Sequence, residues 1–231
     1  MTTAGEGEHG PLPALLLMLT VATGVVDAVS ILALGRVFVA NMTGNIVFIG
    51  FAAAGTPGFS LAASVAATAG FLGGAAAGGT LITHVVGHRG RLLRNAVGIE
   101  SLVILAALLI EAGGHDGEGG LRGSIAAAAL ALAMGVQNAV VRRLAVPDLT
   151  TTVLTMTLTG LAADFSRGGR AVLVRRLSAI AAMLVGALVG ALLVIRVNSM
   201  SALSLALALV VAALIGATFA SGSHAAWSDA R

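Results

Sequence analysis

The stretch GVVDAVSILALGRVFVANMTGNIVFIGFAA, residues 24–53, places acidic and amide side chains inside an apolar run. It recurs in altered form as GVQNAVVRRLAVPDLTTTVLTMTLTGLAAD, residues 135–164, with Asp27 aligned to Asn138. After one inserted residue, the string MTGN aligns with LTMT. A membrane protein built from two copies of a polar, interrupted unit favours a transport pathway at the interface between the repeats.

The composition is that of a polytopic membrane protein. Of the 231 residues, 58% are hydrophobic and 10% are charged, and the mean hydropathy is +1.01. No soluble globular domain needs so much apolar surface, so we predict an all-α fold that crosses a bilayer. The chain has no cysteine, which excludes disulfides, thiolate metal sites and cysteine nucleophiles. Its thirteen basic residues form no face interleaved with aromatic residues, so nucleic acid is not an expected partner.

The chain divides into two membrane repeats, residues 12–110 and 121–220. An acidic, glycine-rich linker at 111–120 separates them, and tails at 1–11 and 221–231 flank them. Each repeat reads as four segments. In chain order these are Leu12–Leu34, Val37–Ala54, Phe59–Val86, Val97–Ile110, Leu121–Val141, Leu149–Phe165, Leu177–Ile195 and Leu203–Ala220.

The number of membrane crossings decides the topology. If all eight segments cross, the arginines divide seven against six between the two sides, which gives no orientation. The second segment of each repeat is polar and interrupted, and polar groups in hydrocarbon need partners. If those two segments are broken or re-entrant, six spans remain and the arginines divide ten against three. We therefore predict six spans, inverted repeats, and both termini in the cytoplasm of an inner-membrane protein.

Asp27 is the leading candidate for chemistry, because a carboxylate inside a bilayer is costly unless it is paired, solvated or protonated. It could couple transport to protons or cations. It could equally be a structural acceptor that caps a broken helix, since Asn138 at the aligned position keeps the hydrogen-bonding shape without the charge. The two interpretations have similar weight.

A polar knot of Asn41, Thr43 and Asn45 lies in the first repeat, and threonines lie in its counterpart in the second. Thr152 and Thr155 belong to a hydroxyl stripe on one face of a predicted helix. Such a stripe can line a polar path. Alternatively, each hydroxyl bonds the backbone carbonyl one turn earlier, which is common in membrane helices. For the stripe together with the knot we favour a solute pathway.

Three polar residues of the second repeat complete the predicted pathway. Gln137 and Asn138 are expected to line the same cavity as Asp27. Asp148 follows a proline and is expected to cap the threonine-rich helix. Glu100 lies one turn into the segment that begins at Val97, so an interfacial ion pair with a nearby arginine is the favoured interpretation.

Glycines at matching places in the two repeats predict close helix contacts. Gly70 and Gly74 in the first repeat correspond to Gly186 and Gly190 in the second. Both pairs have the small-xxx-small spacing that lets membrane helices approach closely. They could form a sliding contact between the repeats, but static packing is the favoured interpretation.

The strings GRVFVANMTGN and RLAVPDLTTTVLTMTLTGLAAD resemble the YoaK family of bacterial membrane proteins, whose function is unknown. The resemblance covers nearly the whole chain, from about Leu15 to Thr218. It implies a multi-pass inner-membrane protein with about six spans. It implies no settled substrate, reaction or cofactor.

The leading functional hypothesis is a small-solute transporter or channel with its polar site between the repeats, and proton coupling would follow if Asp27 titrates. A membrane-embedded enzyme and a non-catalytic assembly partner are the alternatives. No catalytic residue, cofactor or metal site is assigned, because no recognised catalytic motif occurs and His84 with His88 gives too few ligands. The expected partners are the lipid bilayer and a small solute or ion, and the sequence also allows a homo-oligomer.

Overall fold

Eight α-helices form the described part of the chain. The computed structural model describes residues 9–85, 87–114, 120–152, 154–164, 169–222 and 227. Polar side chains set several helix starts: Ser60 accepts from the N–H of Ala63 at 3.2 Å, and Asn198 accepts from that of Ser201 at 2.8 Å. The helices are α1 (Leu12–Ala33), α2 (Met42–Ala53), α3 (Leu61–His84), α4 (Arg89–Ala112), α5 (Leu121–Leu144), α6 (Thr155–Ala163), α7 (Arg170–Arg196) and α8 (Ser199–Ser221).

Six of these helices are long and apolar enough to cross a membrane, as the six-span prediction requires. The other two, α2 and α6, have 12 and 9 residues. At 1.5 Å per residue they extend only about 18 Å and about 14 Å, against a hydrocarbon thickness of about 30 Å. The prediction of an all-α polytopic membrane protein with two broken segments is confirmed.

The helix contacts define a central group with two flanks. Helices α1, α4, α5 and α8 pack together, while α3 packs against α5 and α7 packs against α1. Gly70 and Gly74 of α3 lie so close to α5 that an added Cβ would overlap the carbonyl oxygens of Ala128 and Leu132. The contacting residues follow the same order along both helices, so α3 runs parallel to α5. The same order holds for α7 against α1.

The α1–α7 contact is built in the same way. An added Cβ at Gly186 would overlap the carbonyl oxygen of Val21, and one at Gly190 would come within 2.8 Å of the Cα of Val25. Small residues let the two backbones approach closely, which is the usual basis of helix association in a bilayer. The glycines predicted to pack thus lie in two contacts, which we name the α3–α5 seam and the α1–α7 seam.

Apolar side chains point outward as well as inward. On α7, Leu184, Leu188 and Ile195 are 66%, 56% and 67% exposed. In water such a surface would promote aggregation, whereas in a bilayer it contacts lipid tails. The interior instead holds small residues, backbone contacts and buried polar groups.

The second short helix lies in a segment that enters and leaves at one end of the bundle. After α5 ends, Asp148 accepts hydrogen bonds from Arg175 and Arg176 in the first two turns of α7. Asp164, just after α6, also receives Arg176. The end of α5 and the start of α7 are therefore on the same side, so residues 145–164 form a re-entrant segment, which we call the second re-entrant segment.

Residues 34–54 form the first re-entrant segment by a similar reversal. Helix α1 ends at Ala33, yet the N–H groups of Val39 and Ala40 lie 3.4 and 3.3 Å from Oδ1 of Asp27. The chain has thus returned by about 9 Å along α1, the rise of six helical residues. Arg36 adopts φ 57° at the reversal.

Several segment boundaries expected from the sequence are wrong, among them the start of α7, which is Arg170 rather than Leu177. Helix α4 begins at Arg89 rather than Val97, because the His88 side chain caps it by accepting from Arg91 N–H at 3.2 Å. The threonine-rich segment is helical only from Thr155, with Leu154 at its N-cap. Hydropathy could not locate either boundary. The first turns of α4 contain arginines, and threonines lie both before and within α6.

Candidate functional site

A polar cluster lies at the centre of the helix bundle. Glu100 stands at the midpoint of α4, eleven residues after Arg89, and its exposed fraction is 0%. The interpretation of Glu100 as an interfacial, arginine-paired residue is therefore wrong. The earlier start of α4 places this carboxylate about 16 Å along the helix from its first residue.

Gln137 of α5 is the neighbour of this carboxylate. An amide's oxygen and nitrogen are assigned from their partners, and here the nitrogen belongs on the Glu100 side. In that orientation it donates to Oε1 of Glu100 at 2.7 Å and to Oε2 at 3.1 Å. The amide oxygen accepts from Oγ1 of Thr23 at 3.1 Å and from Oγ1 of Thr151 at 2.8 Å. We call these four residues the central cluster.

The two threonines reach the central cluster from different elements. Thr23 lies in the middle of α1, and its hydroxyl is also 2.9 Å from the carbonyl oxygen of Leu19. Thr151 comes from the second re-entrant segment, and it meets Gln137 seven residues before the end of α5. The segment has therefore returned about 10 Å into the bundle.

The backbone of Thr151 is strained. Its φ of 61° lies in the left-handed region, which a β-branched residue rarely adopts, and its exposed fraction is 1%. Such strain persists only where surrounding contacts enforce it, and it concentrates at functional sites and switch regions. In this conformation the Thr151 hydroxyl forms its hydrogen bond to Gln137.

Asp27 serves the first re-entrant segment rather than the central cluster. Its Oδ1 accepts from the N–H groups of Val39 and Ala40, the arrangement expected of a structural acceptor. Arg36 does not pair with it and instead lies against Gly58, at the turn before α3. The geometry therefore gives Asp27 a structural use.

The polar knot of the first repeat separates into one buried and two exposed residues. Asn45 is fully buried and clamps the backbone of Phe38, accepting from its N–H at 2.9 Å and donating to its carbonyl at 2.6 Å. Asn41 and Thr43 are exposed on the outside of the bundle. Through Asn45, the knot thus connects two parts of the first re-entrant segment to each other. It lines no cavity with Asp27.

The threonine stripe does not form. Thr152 precedes α6 and is buried, with its hydroxyl 3.4 Å from the carbonyl of Thr150, while Thr155 begins α6 and is exposed. Thr159 bonds the carbonyl of Thr155 at 2.9 Å, the local bond common in membrane helices. Thr152 shares no helix face with Thr155 and Thr159, because α6 begins only at Thr155.

Asp148 does not cap a helix, since α6 begins seven residues later. It holds Nε of Arg176 at 2.9 Å and Nη2 of Arg175 at 3.4 Å, and Arg176 reaches Asp164 at 3.3 Å. This ion-pair group, which we call the latch, ties both ends of the second re-entrant segment to α7. The latch lies at the end of the bundle where α7 begins.

Gln137 and Asn138 belong to different sites. Gln137 points into the bundle, whereas Asn138 lines an open groove between α3 and α5 together with Arg142 and Arg143. The expectation that both line one cavity with Asp27 is therefore wrong. Adjacent residues on a helix point about 100° apart, so only one of them can face the central cluster.

The sequence pattern missed Thr23, identified Thr151 only as one of the threonines that correspond to the polar knot, and misplaced Glu100. Thr23 and Glu100 could have been found from their position, because each is a polar residue near the midpoint of a membrane span. Within the described ranges, no group of three or more His, Cys, Asp or Glu residues is placed to hold a metal ion. The arrangement offers one carboxylate, one amide and two hydroxyls, which are suited to bind a proton, a cation or a small polar solute.

Comparison with known proteins identifies relatives without a known activity. No solved structure matches the chain. The UPF0700 transmembrane protein YoaK of Bacillus subtilis (strain 168) is 31% identical over 153 residues, covering 66% of each chain. A family model described as a protein of unknown function, DUF1275, matches residues 15–217. The chain therefore belongs to the DUF1275 family of YoaK-like membrane proteins.

Proposed function

We propose that this protein is a proton-coupled transporter or channel for a small solute or ion, with Glu100 as its coupling carboxylate. The observation that carries the proposal is the complete burial of Glu100 against the neutral amide of Gln137. Ionisable residues inside membrane segments are costly, and they typically mark proton relays and ion pathways. This proposal gives the coupling role to Glu100 instead of Asp27, the carboxylate considered for it from the sequence.

The chemistry of the central cluster supports this role. Within the described residues, Glu100 has no cationic partner, and its hydrogen bonds come from Gln137. A carboxylate held by a neutral amide can gain or lose a proton without breaking an ion pair. When Glu100 is protonated, the Gln137 amide would flip, so that its oxygen accepts from the Glu100 O–H and its nitrogen donates to the hydroxyls of Thr23 and Thr151.

The second re-entrant segment supplies a moving part. Among the described residues, its polar contact with the central cluster is one hydrogen bond from Thr151 to Gln137, and its outer contacts are the ion pairs of the latch. Non-helical backbone at membrane depth is tolerated where it is buried in protein or lines a cavity. Withdrawal of Thr151 would open a path to Glu100 from the end of the bundle where α7 begins.

The proposal includes inverted repeats. Exchanging α1–α4 with α5–α8 turns the α3–α5 seam into the α1–α7 seam, and it turns the α4–α5 contact into the α8–α1 contact. Three spans per repeat make the repeats antiparallel. The positive-inside rule then puts the latch end and both termini in the cytoplasm.

Cysteine labelling tests this orientation, because the chain has no native cysteine. Thr56→Cys and Gly169→Cys lie in exposed loops at opposite ends of the six-span arrangement. In intact cells, a membrane-impermeant maleimide should label Thr56→Cys and leave Gly169→Cys unlabelled. Equal labelling or equal protection of the two variants would contradict the inverted arrangement of the repeats.

Proton flux tests the function. Purified protein in liposomes that contain a pH-sensitive dye should admit protons when a potassium diffusion potential is imposed with valinomycin. Glu100→Gln should abolish that flux, because the amide cannot exchange a proton. Glu111→Gln is the matched control: Glu111 is also a buried carboxylate of α4, but it lies in the last turn of the helix and accepts from Ser199 at 3.0 Å.

The flux measurement has two outcomes that contradict the proposal. Wild-type vesicles could be no more proton-permeable than protein-free liposomes. Alternatively, Glu100→Gln could match the wild type while Glu111→Gln abolishes flux. Either result removes Glu100 as a coupling group.

A further inference from the structure

A groove between α3 and α5 is separate from the central cluster. Its volume is about 590 Å³, and it opens on the outside of the bundle. It lies at the end where α3 and α5 finish, because Arg142 and Arg143 occupy the last turn of α5. Its lining includes Phe71, Ala75, Ile82, Asn138, Arg142 and Arg143.

The polarity of this groove changes along its length. Towards the middle of the helices the wall is apolar, with Phe71 and Ala75 on α3. One turn before the end of α5 it becomes basic, with Arg142 and Arg143 both exposed. Asn138 lies between these two regions. The order of apolar wall, polar amide and paired cations matches that of an acyl chain, an ester region and a phosphate.

The two arginines are not used to close the helix end. The carbonyl of Leu144 accepts from Nη2 of Arg89 at 2.6 Å, so Arg89 from α4 serves as the cap. No described residue forms an ion pair with Arg142 or Arg143. Two adjacent arginine side chains therefore face the groove mouth without an ionic partner among the described residues.

The corresponding place at the α1–α7 seam lacks this chemistry. The residues of α1 aligned with Arg142 and Arg143 are Ile31 and Leu32. The residue aligned with Asn138 is Asp27, whose carboxylate accepts backbone N–H groups. The basic groove is thus a feature of one side of the molecule and is not required by the fold.

We propose that the α3–α5 groove binds an anionic phospholipid of the leaflet at the arginine-rich end. The phosphate would lie on Arg142 and Arg143, the ester region would accept a hydrogen bond from Asn138, and one acyl chain would follow Phe71 and Ala75. Basic pockets between membrane helices are known sites for anionic headgroups. A water-soluble anion would leave the apolar wall unoccupied, so the lipid fits better. The proposal does not depend on what the central cluster transports.

Native mass spectrometry of the purified full chain tests this site. The protein would be titrated with phosphatidylglycerol and, separately, with zwitterionic phosphatidylethanolamine. Wild-type protein should retain one phosphatidylglycerol preferentially. Arg142→Gln/Arg143→Gln should weaken that binding about 30-fold, the effect of two interfacial charges. Arg91→Gln/Arg170→Gln is the matched control, since it removes two exposed arginines near the same end but outside the groove.

A second variant separates the groove from general electrostatics. Ile82→Trp keeps both arginines and fills the groove beside them, so it should also weaken phosphatidylglycerol binding. The proposal is overturned if both double variants lose lipid equally, if phosphatidylethanolamine binds as tightly as phosphatidylglycerol, or if Ile82→Trp has no effect. Displacement of the lipid by millimolar inorganic phosphate would also overturn it, because the groove would then be a site for a free anion.

Discussion

The two re-entrant segments share a topology but are held by different bonds. The first is held from within: Asn45 clamps Phe38, Asp27 accepts from Val39 and Ala40, and no ion pair is described. The second is held at its ends by the latch, and its inner tip has one hydrogen bond to the central cluster. Backbone bonds deep in a protein are costly to break, whereas ion pairs near water exchange readily.

Aromatic packing extends this contrast. Phe48 stacks on Phe38 with ring centroids 5.6 Å apart and lies 5.0 Å from Phe59, so the first segment has its own small apolar core. The described part of the second segment has no aromatic contact of this kind, and Met156 is 73% exposed. The comparison indicates that the first re-entrant segment is fixed in place and that the second can be released.

Substitutions in the two seams are expected to have the largest effect on stability. Each seam holds a flanking helix, α3 or α7, that directly follows a re-entrant segment. Gly74→Leu should destabilise the protein by more than about 3 kcal/mol, since its side chain must displace the backbone of Leu132. Gly73→Leu is the matched control, because no atom lies within 4 Å of an added Cβ there. Thermal unfolding in detergent measures both. Similar unfolding temperatures for the two variants would contradict the seam.

The clamp of the first segment is the next largest effect. Asn45→Ala should cost about 2 kcal/mol or more, because the Phe38 N–H and carbonyl would be left buried without partners. Thr157→Ala, at the aligned position of the second segment, should cost less than about 1 kcal/mol, since it loses little beyond a methyl group. The same unfolding assay compares them. A larger cost for Thr157→Ala would reverse the proposed roles of fixed and releasable segment.

Loss of the latch should act on motion more than on stability. Arg176→Gln removes ion pairs to Asp148 and Asp164, so Thr151 should leave Gln137 more often. In a Thr151→Cys background, thiol labelling should become several-fold faster. Arg170→Gln, an exposed arginine on the same helix, should leave the rate unchanged. If both variants label alike, the ion pairs do not restrain the segment.

The smallest effect is expected for Asp27→Asn. The amide oxygen can still accept from Val39 and Ala40, so stability should change by less than about 1 kcal/mol and proton flux should persist. Asp27→Leu removes the acceptor and should lower the unfolding temperature clearly. Loss of flux with Asp27→Asn alone would return the coupling role to Asp27.

The sequence predicted the architecture better than the site. Hydropathy and the arginine distribution were enough for six spans and two interrupted segments, because bilayer thickness fixes helix length. Glu100 was assigned to the membrane interface because the first two turns of α4 were not recognised as helix. These turns contain Arg91 and Arg94, which make them polar. Thr151 could not be found from periodicity, since it lies in non-helical chain and reaches Gln137 only through the reversal after α5.

Water access to the central cluster is the most direct test of the account. Thr151→Cys and Val39→Cys occupy aligned positions of the two re-entrant segments, and both residues are buried, at 1% and 0% exposed. A small cationic methanethiosulfonate would be applied to each variant in liposomes, in the otherwise cysteine-free chain. The account predicts that Thr151→Cys reacts and Val39→Cys does not. Equal protection, or faster reaction at Val39→Cys, would contradict a pathway through the second re-entrant segment to Glu100.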